Sequence, residues 1–136
     1  MTQDEGPAAP RILRGDATRE YFTDELCFIH ELSNRPGDAA VSIAQARVEP
    51  GVCTRWHRLH GIAERYVLLA GRGHVEVGDA LGGALGEDVG PGDVVYIPPG
   101  CRQRIRCLGD APLVFLAVCT PRFEQAAYED IEPPPG

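Results

Sequence analysis

The chain has 136 residues, of which 43% are hydrophobic, and its formal net charge at pH 7 is −7. This length predicts one globular domain, and the lack of any run of about 18 apolar residues argues against a membrane-spanning helix. All 13 basic residues are arginine, so the excess of acids argues against general nucleic-acid binding and the missing lysine excludes Schiff-base chemistry.

The two ends of the chain are predicted to lie outside the folded unit. Residues 1–5 are acidic and lack the apolar stretch of a secretory signal. We therefore expect an N-terminal arm over residues 1–20, a single domain over residues 21–132 and a proline-rich tail over residues 133–136. Because the cysteines show no paired spacing, we also expect reduced thiols and a cytoplasmic location. The cysteines are at positions 27, 53, 101, 107 and 119.

Between these ends, the sequence predicts short strands joined by tight turns. The 16 glycines and 12 prolines are too many for a helical bundle, and the apolar runs recur about every ten residues, which is typical of an antiparallel sandwich or barrel. A glycine-rich loop is predicted over residues 78–86, and a short helix over Phe123–Tyr128. The predicted strands are Leu26–Leu32, Val41–Val48, Arg55–Leu59, Glu64–Ala70, Arg72–Val77, Val94–Ile97, Arg102–Cys107 and Leu113–Cys119.

Candidate metal-ligating residues lie on the predicted strands Arg55–Leu59 and Glu64–Ala70 and in the link between them. His57, His60 and Glu64 lie close together in the sequence. Imidazole nitrogen and carboxylate oxygen form a donor set that suits divalent iron, manganese, nickel, copper or zinc. Because side chains alternate along a strand, Glu64 and Tyr66 share one face. Tyr66 is therefore a candidate to contact a bound ligand, although a tyrosine at such a position is also a common core residue.

A further candidate, Gln103, lies on the strand that begins at Arg102. Arg102, Arg104 and Arg106 alternate with Gln103, Ile105 and Cys107. Buried unpaired guanidinium groups are costly, so the arginine side is predicted to face outward and Gln103 inward. A buried glutamine needs polar partners or a metal. The alternatives for Gln103 are a metal ligand, a residue that orients a metal ligand, or a hydrogen bond to buried backbone. An inward Cys107 is interpreted as an inert thiol.

Two motifs in these segments resemble those of the cupin superfamily of small β-barrels. In the first motif, Gly51 is followed after five residues by His57, and Glu64 is followed after six residues by Gly71. In the second, Gly92 is followed after five residues by Pro98, Pro99 and Gly100, and then by Gln103. The resemblance covers roughly residues 41–120. It implies an all-β antiparallel jelly-roll barrel that holds a divalent transition metal.

The chain departs from the cupin motifs at two histidine positions. The second histidine of the first motif is expected at position 59, where this chain has leucine, and His60 follows one residue later. A shift of one residue turns a side chain to the other face of a strand unless a bulge intervenes. The histidine of the second motif is replaced by Gln103. The resemblance therefore implies His57, Glu64 and Gln103 as ligands, and His60 only if the strand bulges near Leu59.

The resemblance leaves two classes of function open. One is a metal-dependent enzyme of dioxygenase, isomerase or lyase type that acts on a small oxygen-bearing molecule, with Tyr66 as the candidate catalytic residue. The other is a non-catalytic module that binds or senses a small ligand, in which His57 and Glu64 only form hydrogen bonds. We also expect a homodimer, as in small cupins, and neither nucleic acid nor membrane as a partner. The metal, the substrate and the reaction stay open at this point.

Overall fold

The computed structural model describes residues 9–78 and 84–133, and its regular structure is β-strand with three short 3-10 turns. The turns are Gly15–Ala17, Pro36–Asp38 and Gln125–Ala127. The strands are β1 Tyr21–Phe22, β2 Phe28–Ser33, β3 Ser42–Val48, β4 His57–Leu59, β5 Ala63–Ala70, β6 Arg72–Gly78, β7 Ala84–Val89, β8 Val94–Ile97, β9 Arg102–Leu108, β10 Leu113–Thr120 and β11 Tyr128–Asp130.

These strands form two antiparallel sheets that face each other. The first sheet has the strand order β1-β2-β3-β10-β5-β8, and the second has the order β11-β4-β9-β6-β7. Apolar side chains from both sheets meet between them, with Leu68 and Phe115 from the first and Val75 and Ile105 from the second. The arrangement confirms the predicted antiparallel jelly-roll barrel, because alternation turns one side of every strand toward this shared core.

Alternation along β9 follows the sequence prediction. Gln103, Ile105 and Cys107 are buried, whereas Arg102 and Arg106 are exposed. Arg104 is partly exposed and is bonded to Glu76 on the neighbouring strand β6. The prediction of an outward arginine row and an inward Gln103 is therefore confirmed.

Two local predictions near turns were wrong. The predicted glycine-rich loop over residues 78–86 is shorter than expected, because β7 begins at Ala84 and pairs with β6. Residues 79–83 of that loop lie outside the described residues. The predicted helix over Phe123–Tyr128 is a 3-10 turn over Gln125–Ala127 that leads directly into β11. Both missed strands lie at sheet edges, where pairing to a neighbouring strand decides the conformation more than local composition does.

The segment before β1 packs against the first sheet. The hydroxyl of Thr18 donates to the backbone carbonyl of Glu31, and Glu20 forms an ion pair with Arg47 on β3. The bounds of the arm, the domain and the tail remain predictions. Among the described residues, no helix has the length and apolar character needed to cross a bilayer.

Candidate functional site

His57 opens β4 and turns its imidazole into the barrel, where the residue is 4% exposed. Its Nδ1 atom lies 2.7 Å from the carbonyl oxygen of Arg55, which can only accept, so Nδ1 carries the proton that is donated. The Nε2 atom faces a carboxylate oxygen of Glu25, 3.2 Å away, a contact that is attractive only with a proton on Nε2 or on the carboxylate. The ring of Tyr128 stacks on the imidazole at a centroid distance of 5.4 Å. His57 is thus held in one orientation, with Nε2 directed inward.

Glu25 lies in the turn between β1 and β2, and no motif pointed to it. The turn places Leu26 at a φ of 78°, which costs an L-residue about 1–2 kcal/mol. Backbone hydrogen bonds from Thr23 to Cys27 and from Arg55 to Glu25 hold the turn in place. Glu25 and His57 are 32 positions apart in the sequence, and the fold brings the carboxylate of Glu25 to the imidazole. Only the tertiary structure could reveal this contact.

Glu64 is the second residue of β5, and its carboxylate is buried between the sheets with 8% exposure. The thiol of Cys119 donates to Oε2 at 3.7 Å, and Oε1 has no hydrogen-bond partner among the described residues. Burial raises the pKa of Glu64 to about 7, and the charge of His57 opposes the shift. A buried carboxylate oxygen without a partner is costly unless a ligand, a cation or water satisfies it.

Tyr66 and Gln103 connect the two sheets inside the barrel. The phenol of Tyr66 donates a hydrogen bond to Oε1 of Gln103, and both side chains are buried. The Tyr66 ring also packs against Phe115. Burial raises the pKa of Tyr66 well above its usual value, so the phenol keeps its proton and remains a donor. The amide oxygen that was predicted to serve as a metal ligand is therefore engaged by Tyr66.

His60 is placed away from this cluster. Its side chain is 57% exposed, and Nε2 lies 2.7 Å from a carboxylate oxygen of Glu129 on β11. The pairing of β4 with β11 runs residue for residue through Leu59, without the bulge that would turn His60 inward. Leu59 is the inward residue and packs with Ile62 and Cys119. The structure thus brings together His57, Glu64, Tyr66 and Gln103 of the predicted site residues and leaves His60 outside.

The side chains fit a metal only in part. His57 has one feature of a ligating histidine, because its Nδ1 proton is held by a carbonyl, but its Nε2 faces the carboxylate of Glu25 at 3.2 Å and would have to leave it to bind an ion. The unpartnered Oε1 of Glu64 is the kind of oxygen that a divalent cation would satisfy. Within residues 9–78 and 84–133, however, no three His, Cys, Asp or Glu side chains form a group that could hold an ion. The donor chemistry of His57 and Glu64 fits a divalent ion, whereas His60 and Gln103 do not add to it.

A cavity of about 400 Å³ lies against the inner face of the first sheet and reaches solvent beside Tyr21 and Phe22. Small side chains on that face, Ala44 of β3 and Ala117 of β10, leave room for it. A second space of about 40 Å³ shares Glu25 and Glu64 with the cavity and reaches His57 and Tyr66. The further lining residues of the large cavity are Thr23, Asp24, Ile29, Glu31, Asn34, Ser42, Ile43, Cys119, Phe123, Gln125 and Tyr128.

Comparison with known proteins gives one consistent family. The model of the cupin domain family matches residues 44–119. An uncharacterized protein of Methanocaldococcus jannaschii is 30% identical over 119 residues, which cover 86% of this chain and 89% of that protein. An (R)-mandelonitrile lyase of Granulicella tundricola is 35% identical over 63% of this chain and 61% of its own length. A glucose-6-phosphate isomerase of Pyrococcus furiosus is 41% identical over 56 residues, which are 30% of its length.

Solved structures show the same fold. Oxalate decarboxylase from Bacillus subtilis superposes on 94% of this chain with a TM-score of 0.80 at 23% identity. The capsular polysaccharide assembling protein CapF from Staphylococcus aureus superposes on 85% with a TM-score of 0.72 at 20% identity. This chain spans 34% of the decarboxylase chain and 32% of the CapF chain. At these identities the likeness extends to the fold and not to the activity.

Proposed function

Because the chain belongs to the cupin domain family, we propose that its barrel binds a small oxygen-bearing molecule beside a divalent transition metal. The observation that carries the proposal is the buried Oε1 of Glu64, which has no hydrogen-bond partner among the described residues, on a side chain that borders the 400 Å³ cavity. The ion is one of iron, manganese, nickel, copper or zinc, since one imidazole and one carboxylate suit each of them.

In this proposal, Glu64 would hold the ion through Oε1, and His57 would hold it through Nε2 after giving up its contact with Glu25. When bound, the ion supplies Lewis-acid polarisation of a ligand oxygen, or oxygen binding if it is iron. The carbonyl of Arg55 keeps the His57 ring in one tautomer and orientation. The phenol of Tyr66 is the residue that we propose to contact the substrate, because it borders the inner space that also reaches His57. His60 and Gln103 were predicted as further ligands; both would need to leave their present partners, Glu129 and Tyr66.

Two curated relatives support an enzyme. One is named a mandelonitrile lyase and the other a glucose-6-phosphate isomerase, and both names specify small oxygen-bearing substrates. Lyase or isomerase chemistry is therefore our proposal for the reaction class, with dioxygenase chemistry as the variant that requires iron. We do not transfer the substrate of either relative to this chain, because the matched region covers less than two thirds of the length of each relative.

A second candidate, a binding module without metal, is favoured by one observation. His57 already faces the carboxylate of Glu25 at 3.2 Å, and Gln103 is already bonded to Tyr66. Among the described residues, these pairs give His57, Glu25, Tyr66 and Gln103 polar partners without an ion, and Oε1 of Glu64 is left without one. In that case the cavity would store or sense a small molecule, and His57 and Glu64 would bind it by hydrogen bonds.

Metal analysis of the purified protein separates the two candidates. The full chain is purified without chelators, and its metal content is measured by mass spectrometry before and after dialysis against 1,10-phenanthroline. The enzyme proposal predicts about one transition-metal ion per chain before dialysis. A metal content no higher than that of the buffer, even after incubation with Mn²⁺, Fe²⁺ or Zn²⁺, would contradict it and favour the binding module.

Two further expectations belong to this proposal. The chain is proposed to act as a homodimer, with an exposed edge of the six-stranded sheet covered by a second copy. It is also proposed to act in the cytoplasm, since all five cysteines are free and such thiols persist in a reducing compartment.

A further inference from the structure

The charged side chains that line the large cavity all have the same sign. Asp24, Glu25, Glu31 and Glu64 border it, and no arginine of the described residues does. The chain has no lysine anywhere in its sequence. A concave wall lined by one sign of charge concentrates counter-ions and excludes ions of its own sign. The cavity is therefore expected to disfavour anionic ligands and to favour cationic ones.

Two of these carboxylates are not neutralised by a neighbouring cation. Within the part of the chain that the structure describes, no ion pair joins Asp24 or Glu31 to an arginine or a histidine. Glu31 lies on β2 opposite Ala44 of β3, on the inner face of the first sheet. Glu31 is half-buried and Asp24 is exposed, so both carboxylates are accessible to a cationic ligand in the cavity.

The buried end of the cavity gives an independent indication of a ligand. Glu64 is more than nine-tenths buried and borders the cavity, and one of its carboxylate oxygens has no hydrogen-bond partner within residues 9–78 and 84–133. The proposed divalent ion would satisfy this oxygen, but it would not make the wall positive. Glu25 is paired with His57, and burial raises the pKa of Glu64 to about 7, so the negative charge of the lining depends chiefly on Glu31 and Asp24. Neither of these two carboxylates is a proposed metal ligand, so both stay available to a cationic group with or without the metal.

Aromatic rings complete the lining. Tyr21, Phe22, Phe123 and Tyr128 border the same space as the carboxylates. The face of an aromatic ring attracts an organic cation, and the ring also offers apolar contact area. Carboxylates next to aromatic rings are therefore complementary to an alkylammonium or arylalkylammonium group, and repel a carboxylate or phosphate.

We propose that the cavity takes a small organic amine that also carries an oxygen function. The ammonium group lies against Glu31 and Asp24, and the oxygen lies toward His57 and Glu64. The inference rests on the proposed function only in that the cavity is taken as the ligand site, and it holds whether or not a metal is present. It narrows the ligand from any small oxygen-bearing molecule to one with a positive charge.

Three probes of equal size and different charge test the inference: benzylamine, benzyl alcohol and benzoate. Their dissociation constants are measured on the full chain at pH 7.5 by ligand-observed NMR, in low salt. We expect benzylamine to bind at least about tenfold more tightly than benzyl alcohol, because its ammonium group faces unpaired carboxylates. Benzoate should bind more weakly than the alcohol.

A matched pair of variants locates the effect. Glu31→Gln should reduce benzylamine affinity to about that of benzyl alcohol. The control variant Glu87→Gln, which removes an exposed carboxylate on β7 outside the cavity, should leave benzylamine affinity unchanged. Equal or tighter binding of benzoate, or no binding by any of the three probes, would overturn the inference.

The outcome is separable from that of the metal proposal. A protein that holds no metal but prefers benzylamine contradicts the proposed metal site and supports the amine inference. A protein that holds one ion per chain but prefers benzoate supports the metal site and overturns the amine inference.

Discussion

The phenol of Tyr66 donates its hydrogen bond to the amide oxygen of Gln103 across the space between the two sheets. Tyr66 belongs to β5 of the first sheet and Gln103 to β9 of the second. Both side chains are buried, so the bond is shielded from water. This pair therefore ties the sheets together at the polar centre of the barrel, next to His57, which lies opposite Gln103 in the strand pairing.

Removing the Tyr66 hydroxyl should destabilise the fold. Tyr66→Phe leaves the amide oxygen of Gln103 buried and unpaired, which costs about 1–3 kcal/mol. Urea unfolding followed by fluorescence measures the free energy of unfolding. The double variant Tyr66→Phe/Gln103→Leu should recover part of that loss, because both partners are then apolar. A Tyr66→Phe variant as stable as the parent protein would show that the bond contributes nothing.

The burial of Glu64 should make stability depend on pH in the metal-free protein. Burial raises the pKa of Glu64 from 4.5 to about 7. Between these two values the folded state binds the proton more tightly than the unfolded state. The free energy of unfolding should therefore fall as the pH rises from about 4.5 to about 7, by an amount on the order of 3 kcal/mol.

The comparison variant for this pH effect is Glu64→Gln, which cannot ionise. Its stability, measured in EDTA over the same pH range, should lack the decline that is assigned to Glu64. Glu20 and Glu76 have lowered pKa values because arginine partners bond to them, so their contributions appear at lower pH and cancel between the two proteins. An identical decline in both proteins would refute the assignment.

Alternation and turn composition made most of the fold predictable from the sequence. The inward position of Gln103 follows from the three arginines that occupy the alternate positions of its strand. Val94–Ile97 is a strand with the predicted bounds. The edge strand β11 could not be predicted, since it depends on β4, a partner distant in the sequence. The edge strand β7 pairs with β6 directly before it, and the glycines around it gave this segment the composition of a loop. The same holds for Glu25, whose contact with His57 is produced by a turn that no local pattern specifies.

The motif spacing alone could not decide whether His60 faces the inside or the outside of the barrel. Spacing alone allowed His60 to serve as a ligand if the strand bulged. The regular pairing of Leu59 with Tyr128 keeps Leu59 inside, and the carboxylate of Glu129 gives His60 an exterior partner. Neither contact can be inferred from the motif, because both come from β11.

Glu64 should be required for metal affinity and not for folding. Glu64→Ala removes one charged oxygen ligand, so the affinity for Mn²⁺ should fall by roughly 10- to 100-fold or more, since loss of a residue that only orients a ligand already costs that much. Isothermal titration measures the affinity, and circular dichroism verifies the fold. Glu129→Ala, which removes the carboxylate beside the exterior His60, is the matched control and should bind Mn²⁺ normally. Equal affinity in Glu64→Ala and the parent protein would leave Glu64 as a hydrogen-bonding residue only.

The oligomeric state is predicted to be a dimer. Apolar side chains are exposed at both edges of the first sheet, Tyr21 and Phe22 on β1 and Val94 and Tyr96 on β8. Unpaired edges of this kind favour pairing with another chain. Light scattering at micromolar concentration should give a mass of about 29 kDa, twice the 14.7 kDa of one chain. A mass of about 15 kDa would contradict the prediction.

The metal content of two histidine variants tests the central claim most directly. His57→Ala and His60→Ala are each incubated with Mn²⁺, dialysed and analysed by mass spectrometry beside the parent protein. Since His57 faces the barrel interior and His60 faces Glu129 on the exterior, His57→Ala should lose the ion and His60→Ala should retain most of it. Loss of the ion in His60→Ala with retention in His57→Ala would contradict the account.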